Sequence, residues 1–411
     1  MKFNSIGLTA ALFTLISGTA QAAISHSGPD FHGSCQKLKG ARQQSCNLQH
    51  YARPSSNGHG GSYGNSGSSS SLPLTTVNCG DVITQSIRLA NDLNCPDTTG
   101  FGFTISGDNV NVDGNGHTVY APLAVAAVFV QGNNDSLTNL KENGTTNGYG
   151  LFVYDSPSFS VTKSQFNGNS MGIVLYAENT VMNSLEVTNN QIDNNSVFGV
   201  RTGQDGNGSI IDPRIGGNTI RNSGYFAMSL QATHDTLGDC EQNDLSGSLN
   251  GIDLKDGIFY LHDLDLSGYK IPHTAIFSDS AISIQISNVN VSSHLVPQSS
   301  QENMGIDLYR VGSFTISGLT CNGNDVGLKL ETESGISPTG KVSSCTFSNN
   351  AFAGIMITSY DGTPYGVLDL SQTGNHFSEG SNAYPIFTSG GTTWFQPTPP
   401  APSRGNSCGR W

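Results

Sequence analysis

Residues 150–153 read Gly150-Leu-Phe-Val, residues 172–175 Gly172-Ile-Val-Leu, and residues 199–202 Gly199-Val-Arg-Thr. The same small-apolar-x-apolar pattern returns as Ala227-Met-Ser-Leu, Gly251-Ile-Asp-Leu, Ala275-Ile-Phe-Ser, Gly305-Ile-Asp-Leu, Gly327-Leu-Lys-Leu and Gly354-Ile-Met-Ile. Successive copies are 22, 27, 28, 24, 24, 30, 22 and 27 residues apart. A second apolar position precedes each copy: Leu140, Phe166, Ile192, Ile220, Leu245, Leu266, Val291, Cys321 and Phe347. Asn190, Asn218 and Asn243 each stand two residues before that position, as a stacked ladder of turns requires.

Short alternating strands, turns rich in Asn, Gly and Ser, and a period of about 20 to 30 residues indicate a solenoid. Leucine-rich repeats share the period, but their Leu-x-x-Leu-x-Leu pattern is absent. Helical repeats need apolar spacing near 3.6, which these segments lack. In a parallel β-helix each coil lays its strands on those of the next. Backbone groups then pair between rungs while apolar side chains fill the bore. The expected fold is all-β, a right-handed single-stranded parallel β-helix over 74–390.

Composition agrees. Of 411 residues, 12% are charged and 36% hydrophobic, with 50 Gly and 16 Pro. So little charge argues against a disordered polyelectrolyte or a coiled coil, and Gly without a three-residue period excludes collagen. Residues 1–22 read as a signal peptide: Lys2, an apolar stretch from Ile6 to Ile16, then Ala20-Gln21-Ala22 as the cleavage pattern. No later run reaches the roughly 18 apolar residues of a membrane span, Pro122 to Val130 being the nearest. The expectation is an exported protein without an integral membrane segment, secreted or periplasmic, from a Gram-negative bacterium.

A cysteine-containing segment occupies 23–52, a Gly/Ser-rich linker 53–73 and a Pro-rich tail 391–411. Eight cysteines in an exported chain suit disulfides. Cys79 with Cys95 is the favoured pair and Cys35 with Cys46 the second candidate. Cys240, Cys321, Cys345 and Cys408 are left unassigned. Net charge is −13, which disfavours sequence-independent nucleic-acid binding.

The run Gly107-Asp-Asn-Val-Asn-Val-Asp-Gly-Asn-Gly-His-Thr-Val119, preceded by Cys79-Gly-Asp-Val-Ile-Thr and Asn94-Cys95-Pro, resembles the opening coil of the pectate-lyase-like superfamily and of NosD-like β-helix repeat proteins. The resemblance spans about Cys79 to Thr388. It implies the same fold, and an activity among lyases, hydrolases, epimerases or proteins without catalysis, so function must come from a site.

Strand alternation identifies the side chains that leave the bore. One outward column is Phe152, Val174, Arg201, Ser229, Asp253, Phe277, Asp307, Lys329 and Met356. A second, two residues later, is Tyr154, Tyr176, Gly203, Gln231, Lys255, Asp279, Tyr309, Glu331 and Thr358. A flat strip of charges with aromatic rings at one end suits a linear polysaccharide. Asp253 and Asp307, two rungs or roughly 9.6 Å apart, approach the separation used by inverting glycosidases. A lyase would instead use Lys255, Lys329 or Arg201 against a uronate, with Tyr309 as proton donor. Binding candidates are Tyr309, Gln231, Glu331, Asp279, Tyr176, Tyr154 and Phe152. The competing expectation is an ordinary solvated sheet face on a non-catalytic surface or periplasmic scaffold, adhesin or accessory protein.

Other signals are thinner. Asn57-Gly-His-Gly60 resembles a polygalacturonase tripeptide but lacks its companion elements, and Ile271-Pro-His273 lacks the aspartate of alginate epimerases. His117 reads as a turn residue. No cofactor is expected; Asp205, Asn207 and Ser209 offer oxygens of the kind calcium takes, in what reads as a polar turn. No zinc spacing, phosphate loop, nucleophile elbow or dinucleotide fingerprint is present.

Overall fold

The structure, a computed structural model, describes residues 72–389 apart from 238–242, 268–270, 272, 293–302, 334–338, 360–367, 371–373, 379–381 and 383. The signal segment, Cys35, Cys46, Cys240, Cys408 and the Pro-rich tail lie outside the described residues. The described residues contain strands and no helix, and the paired strands run parallel. They stack into a β-solenoid of about 10 turns, as the repeat and the opening coil imply.

The coils contribute to three faces, with a strand on the first and second and a strand or a single bridge on the third. The first face is a 13-stranded sheet running from Val82–Ile83 to Tyr384–Ser389. The second is a seven-stranded sheet ending at Arg214–Gly216, continued by a six-stranded one from His234–Leu237 to Leu368–Asp369. The third joins a six-stranded sheet, ending at Thr219–Arg221, to a three-stranded one beginning at Thr320–Asn322. Single bridges span the gap, including Thr219 to Asp244 and Asn290 to Thr320.

The repeat signature has a steric cause. A Cβ placed on Gly172 would lie 2.6 Å from the Gly199 carbonyl oxygen of the next rung and 2.5 Å from Ile192 Cγ2 in the bore. Only a small residue fits there. After the small residue, Ile173 and Leu175 point into the bore and Val174 points out, and the same holds at Ile252, Asp253 and Leu254.

The corner between the second and third faces repeatedly uses a left-handed residue, for example Asn139, Lys163, Asn189, Gly217, Asp263 and Asn288. Asn tolerates this region better than most residues, which explains its abundance here. The residue after the corner points inward and builds the expected ladder. Asn218 Nδ2 donates to Val187 O at 2.7 Å and Asn243 Oδ1 at 2.9 Å, while Asn218 Oδ1 accepts from Asn190 N at 2.9 Å. These bonds satisfy backbone groups that the corner would otherwise leave buried and unpaired.

The register corrects one position. Phe166 pairs with Glu142, and Glu142 with Val119, so Glu142 rather than Leu140 fills that rung of the third-face stack. Leu140 follows the left-handed Asn139 and belongs to the ladder column. A search for apolar residues passes over a carboxyl in an apolar slot. The favoured disulfide, Cys79–Cys95, is formed with Cα atoms 5.6 Å apart. Cys321 and Cys345 are buried free thiols in the bore.

Candidate functional site

Both outward columns lie on the 13-stranded sheet, in the register read from the repeat. Phe152, Val174, Arg201, Ser229, Asp253, Phe277, Asp307, Lys329 and Met356 are consecutive Cα partners from rung to rung. Gln231, Lys255, Asp279, Tyr309, Glu331 and Thr358 do the same two residues later, as do Tyr154, Tyr176 and Gly203. All twelve candidate side chains therefore share one face.

That face is not the solvated one expected of a flat sheet. Asp253 is 0% exposed, Asp307 3% and Glu331 4%, and Phe152, Val174 and Ser229 are buried beside them. Curvature explains it. In a flat strand residues i and i+3 point to opposite sides. Here the rings of Tyr149 and Phe152 are 5.1 Å apart, and Arg201 lies 5.4 Å from the centre of the Phe198 ring. The strand bends at the small residue between each pair, and the sheet becomes a trough with the middle column on its floor. Tyr149, Phe198 and Phe226 form one wall. Alternation alone misses them; the signal was an aromatic residue directly before the small position.

The floor changes character along its length. Its first part is aromatic. Phe129 meets Phe152 at 5.6 Å on the floor, Phe101 of the wall column stacks on Phe129 at 4.3 Å, and Tyr154 stacks on Tyr176 at 6.2 Å on the rim. Tyr154 Oη donates to Glu178, and burial together with that carboxylate raises its pKa. Arg201 follows, half-buried over Phe198.

Beyond Ser229 the floor is charged. Ser229 Oγ donates to Asp253 Oδ2 at 2.8 Å, and Lys255 Nζ stands 3.0 Å from the same oxygen. Asp253 Oδ1 has no hydrogen-bond partner. Burial raises the Asp253 pKa, opposed by the Lys255 charge. One rung on comes Phe277, partly exposed, its ring 6.1 Å from Phe226. Asp307 is next, 3.7 Å from Lys329 Nζ, which also contacts Glu331. Burial, then the negative charge of Glu331, pushes the Asp307 pKa well above the carboxylate range. Its Oδ1 is likewise without a partner. On the rim Asp279 Oδ1 accepts two bonds from Arg310, at 2.7 and 3.1 Å, and Arg310 stacks on Tyr309 at 4.6 Å. Gln231 Nε2 donates to Asp256 at 3.0 Å.

Two carboxyls, each withdrawn from water with one oxygen free, flank an aromatic ring. Such an arrangement can hold a pyranose on Phe277, with one buried carboxyl on the rung before it and one on the rung after it. The weaker motifs do not join it. His117 Nδ1 sits 3.0 Å from Asp92 Oδ1 in a turn, and Asp205 Oδ1 caps its own turn through Gly206 N at 2.7 Å. Among the described residues no helix is long and apolar enough to cross a membrane.

No family model matches the chain, and no curated protein matches it. One solved structure does at the level of shape: the catalytic domain of a GH87 alpha-1,3-glucanase, variant D1069A, in complex with tetrasaccharides. Identity is 12% and the TM-score 0.27, over 77% of this chain and 63% of that one. The fold assignment here stands on the rung-by-rung pairing.

Proposed function

We propose that this chain is an exported protein that binds a linear polysaccharide along the outward trough of its long sheet and hydrolyses it between Asp253 and Asp307. The observation that carries the reading is the burial of those two carboxyls on a face where strand residues normally meet water. Desolvating a carboxylate is costly, and leaving one of its oxygens unpaired adds to the cost. A fold tolerates this where the group has work to do.

The roles follow from the surroundings. Asp307 keeps its proton because it is buried against Glu331, and it serves as the acid that protonates the glycosidic oxygen. At Asp253 the Lys255 charge and the Ser229 hydroxyl favour the ionised form against the effect of burial, and in this reading it takes the proton of the attacking water. A separation of two rungs, roughly 9.6 Å, leaves room for that water and favours inversion. Phe277 supplies the surface for the sugar ring, with Tyr154 and Tyr176 further along. Hydrolysis is favoured over a lyase mechanism because Lys255 and Lys329, the cations a uronate would need, already face carboxylates.

The test uses the mature chain, 23–411, with neutral and acidic polysaccharides, with and without calcium, scoring new reducing ends against unsaturated products. New reducing ends without unsaturation are expected. Asp253→Asn and Asp307→Asn should each lower the rate by about 10²–10⁴-fold while leaving the unfolding midpoint within a few degrees. Unsaturated products would move the reaction to a lyase. No cleavage and no retention of any polymer would leave the trough without this role.

A further inference from the structure

Among the described residues, Arg201 stands apart from the other cations of the trough in having no carboxylate paired with it. Lys255 lies against Asp253, Lys329 against Asp307 and Glu331, and Arg310 against Asp279. Among the described residues no carboxylate lies within salt-bridge distance of Arg201; its guanidinium lies over the Phe198 ring. Tyr149 and Tyr176 stand close enough for the Arg201 charge to act on their hydroxyls. Val174 and Ser229 are its rung neighbours in the floor column. A guanidinium over one ring, with no carboxylate paired to it among the described residues, has donors to offer a planar anion.

The rest of the trough narrows what that anion belongs to. From Asp253 onward the floor and rim carry Asp253, Asp256, Asp279, Asp307 and Glu331, with every cation among them paired. A sugar bearing a carboxylate would meet repulsion there, within a chain of net charge −13. Neutral sugars would not. The two regions are two rungs apart, roughly 9.6 Å from Arg201 to Asp253, about the length of two sugar units.

On the reading of the trough as a polysaccharide site, we propose that Arg201 is the anchor for an isolated acidic group of the polymer, a uronate carboxylate or a sulfate ester. The substrate class that follows is a heteropolysaccharide with acidic sugars at intervals and neutral sugars between them. Neither a neutral glucan nor a homopolymer of uronic acid fits both halves of the trough. Arg201 binds and positions; it stands outside the proton transfers assigned to Asp253 and Asp307.

Retention is measured by affinity electrophoresis of the mature chain in gels that contain acidic heteropolysaccharides, each paired with its carboxyl-reduced form. Sulfated and desulfated galactans, polygalacturonate and neutral glucans complete the set, at two salt concentrations. The expected result is that acidic heteropolysaccharides are retained best. Arg201→Gln, and whichever of carboxyl reduction or desulfation removes the acid that is read, should weaken retention about tenfold, the worth of one charge-assisted pair, and remove most of its salt dependence. Arg201→Lys should fall between, and melting of both variants should match the parent. The carboxyl-reduced and desulfated arms identify which acid is read. Retention indifferent to Arg201→Gln, or strongest for neutral glucans or polygalacturonate, overturns the anchor and leaves the polysaccharide reading standing. Absence of retention for every polymer overturns both.

Discussion

Glu142 in the bore and Asp253 in the outward trough are both withdrawn from water, but their surroundings differ in kind. Glu142 stands between Val119 and Phe166 in an apolar stack. Asn169 Nδ2 donates to its Oε2 at 2.7 Å, and the backbone at Gly144 and Asn167 contributes further. No cation faces it. Burial is the dominant influence and raises its pKa to about 8, so it is a neutral acid at pH 7. Asp253 has a lysine instead, and the Lys255 side chain is 38% exposed. Glu142 is answered by amides and keeps its proton; Asp253 is answered by an ammonium that solvent or a substrate hydroxyl can replace. The contrast separates a polar plug in a solenoid core from groups arranged for chemistry, and it can be attacked from the bore, the ladder and the outer skin.

The largest effect belongs to Glu142. Its folded pKa lies above the value near 4.5 of an exposed glutamate, so the folded state holds an extra proton between about pH 4.5 and 8. Stability therefore falls as pH rises through that window and levels off above it. Integrated over the shift this is roughly 3–5 kcal/mol as an order of magnitude. Asp135, raised to about 6 by burial, acts in the same direction. Comparing the parent with Glu142→Gln isolates the one group. Solenoids open locally, so hydrogen exchange of the coils from Val119 to Phe166 is the appropriate measurement. Protection in the parent should decline from pH 5 to pH 8 more steeply than in the variant. Equal slopes would mean that Glu142 is ionised in the bore, and the distinction between plug and reagent would fail.

Next is the ladder, where the bore is polar by design of its corners. Asn218→Ala removes donors from Val187 O and Asn243 Oδ1 and the acceptor for Asn190 N. Buried groups left unpaired cost about 1–3 kcal/mol each before relaxation, and an overall loss of roughly 2–3 kcal/mol is expected. Denaturant titration followed by tyrosine fluorescence checks it. A loss below about 0.5 kcal/mol would show that the corner closes without the amide.

What could be read beforehand follows the same physical divisions. In-out alternation is local, so Asp253, Asp307 and Lys329 could be placed on one outward column from spacing alone. Curvature is not local. The bend at Gly251 depends on how close the Ala275 backbone of the next rung comes, 2.3 Å from an added Cβ, and no residue in a single repeat announces that. For this reason the burial of Asp253 and the wall formed by Phe198 and Phe226 were invisible, and Phe277 was read as one outward residue among others. Glu142 escaped for the opposite reason: its slot is defined by neighbours on adjacent rungs, while its own chemistry suggests a turn.

The smallest effect is expected on the outer skin, and it tests whether the trough is special at all. Arg214 and Glu186 are Cα partners on the second face, their side chains 3.0 Å apart and 58% and 45% exposed. Geometrically this pair resembles Lys255 with Asp253, also 3.0 Å apart. The difference is water. Around the exposed pair solvent screens the attraction and receives either partner if the other is removed, so Arg214→Ala should cost at most about 0.5 kcal/mol. Lys255→Ala leaves Asp253 buried with Ser229 alone, which costs several times more unless the carboxyl takes up a proton. Equal losses for the two variants, measured side by side at pH 7 by thermal unfolding, would place the trough carboxylates in effective contact with solvent. The case for a desolvated acid-base pair would go with them. A clear gap that narrows as pH falls toward the raised Asp253 pKa would tie that gap to the charge on the buried carboxyl.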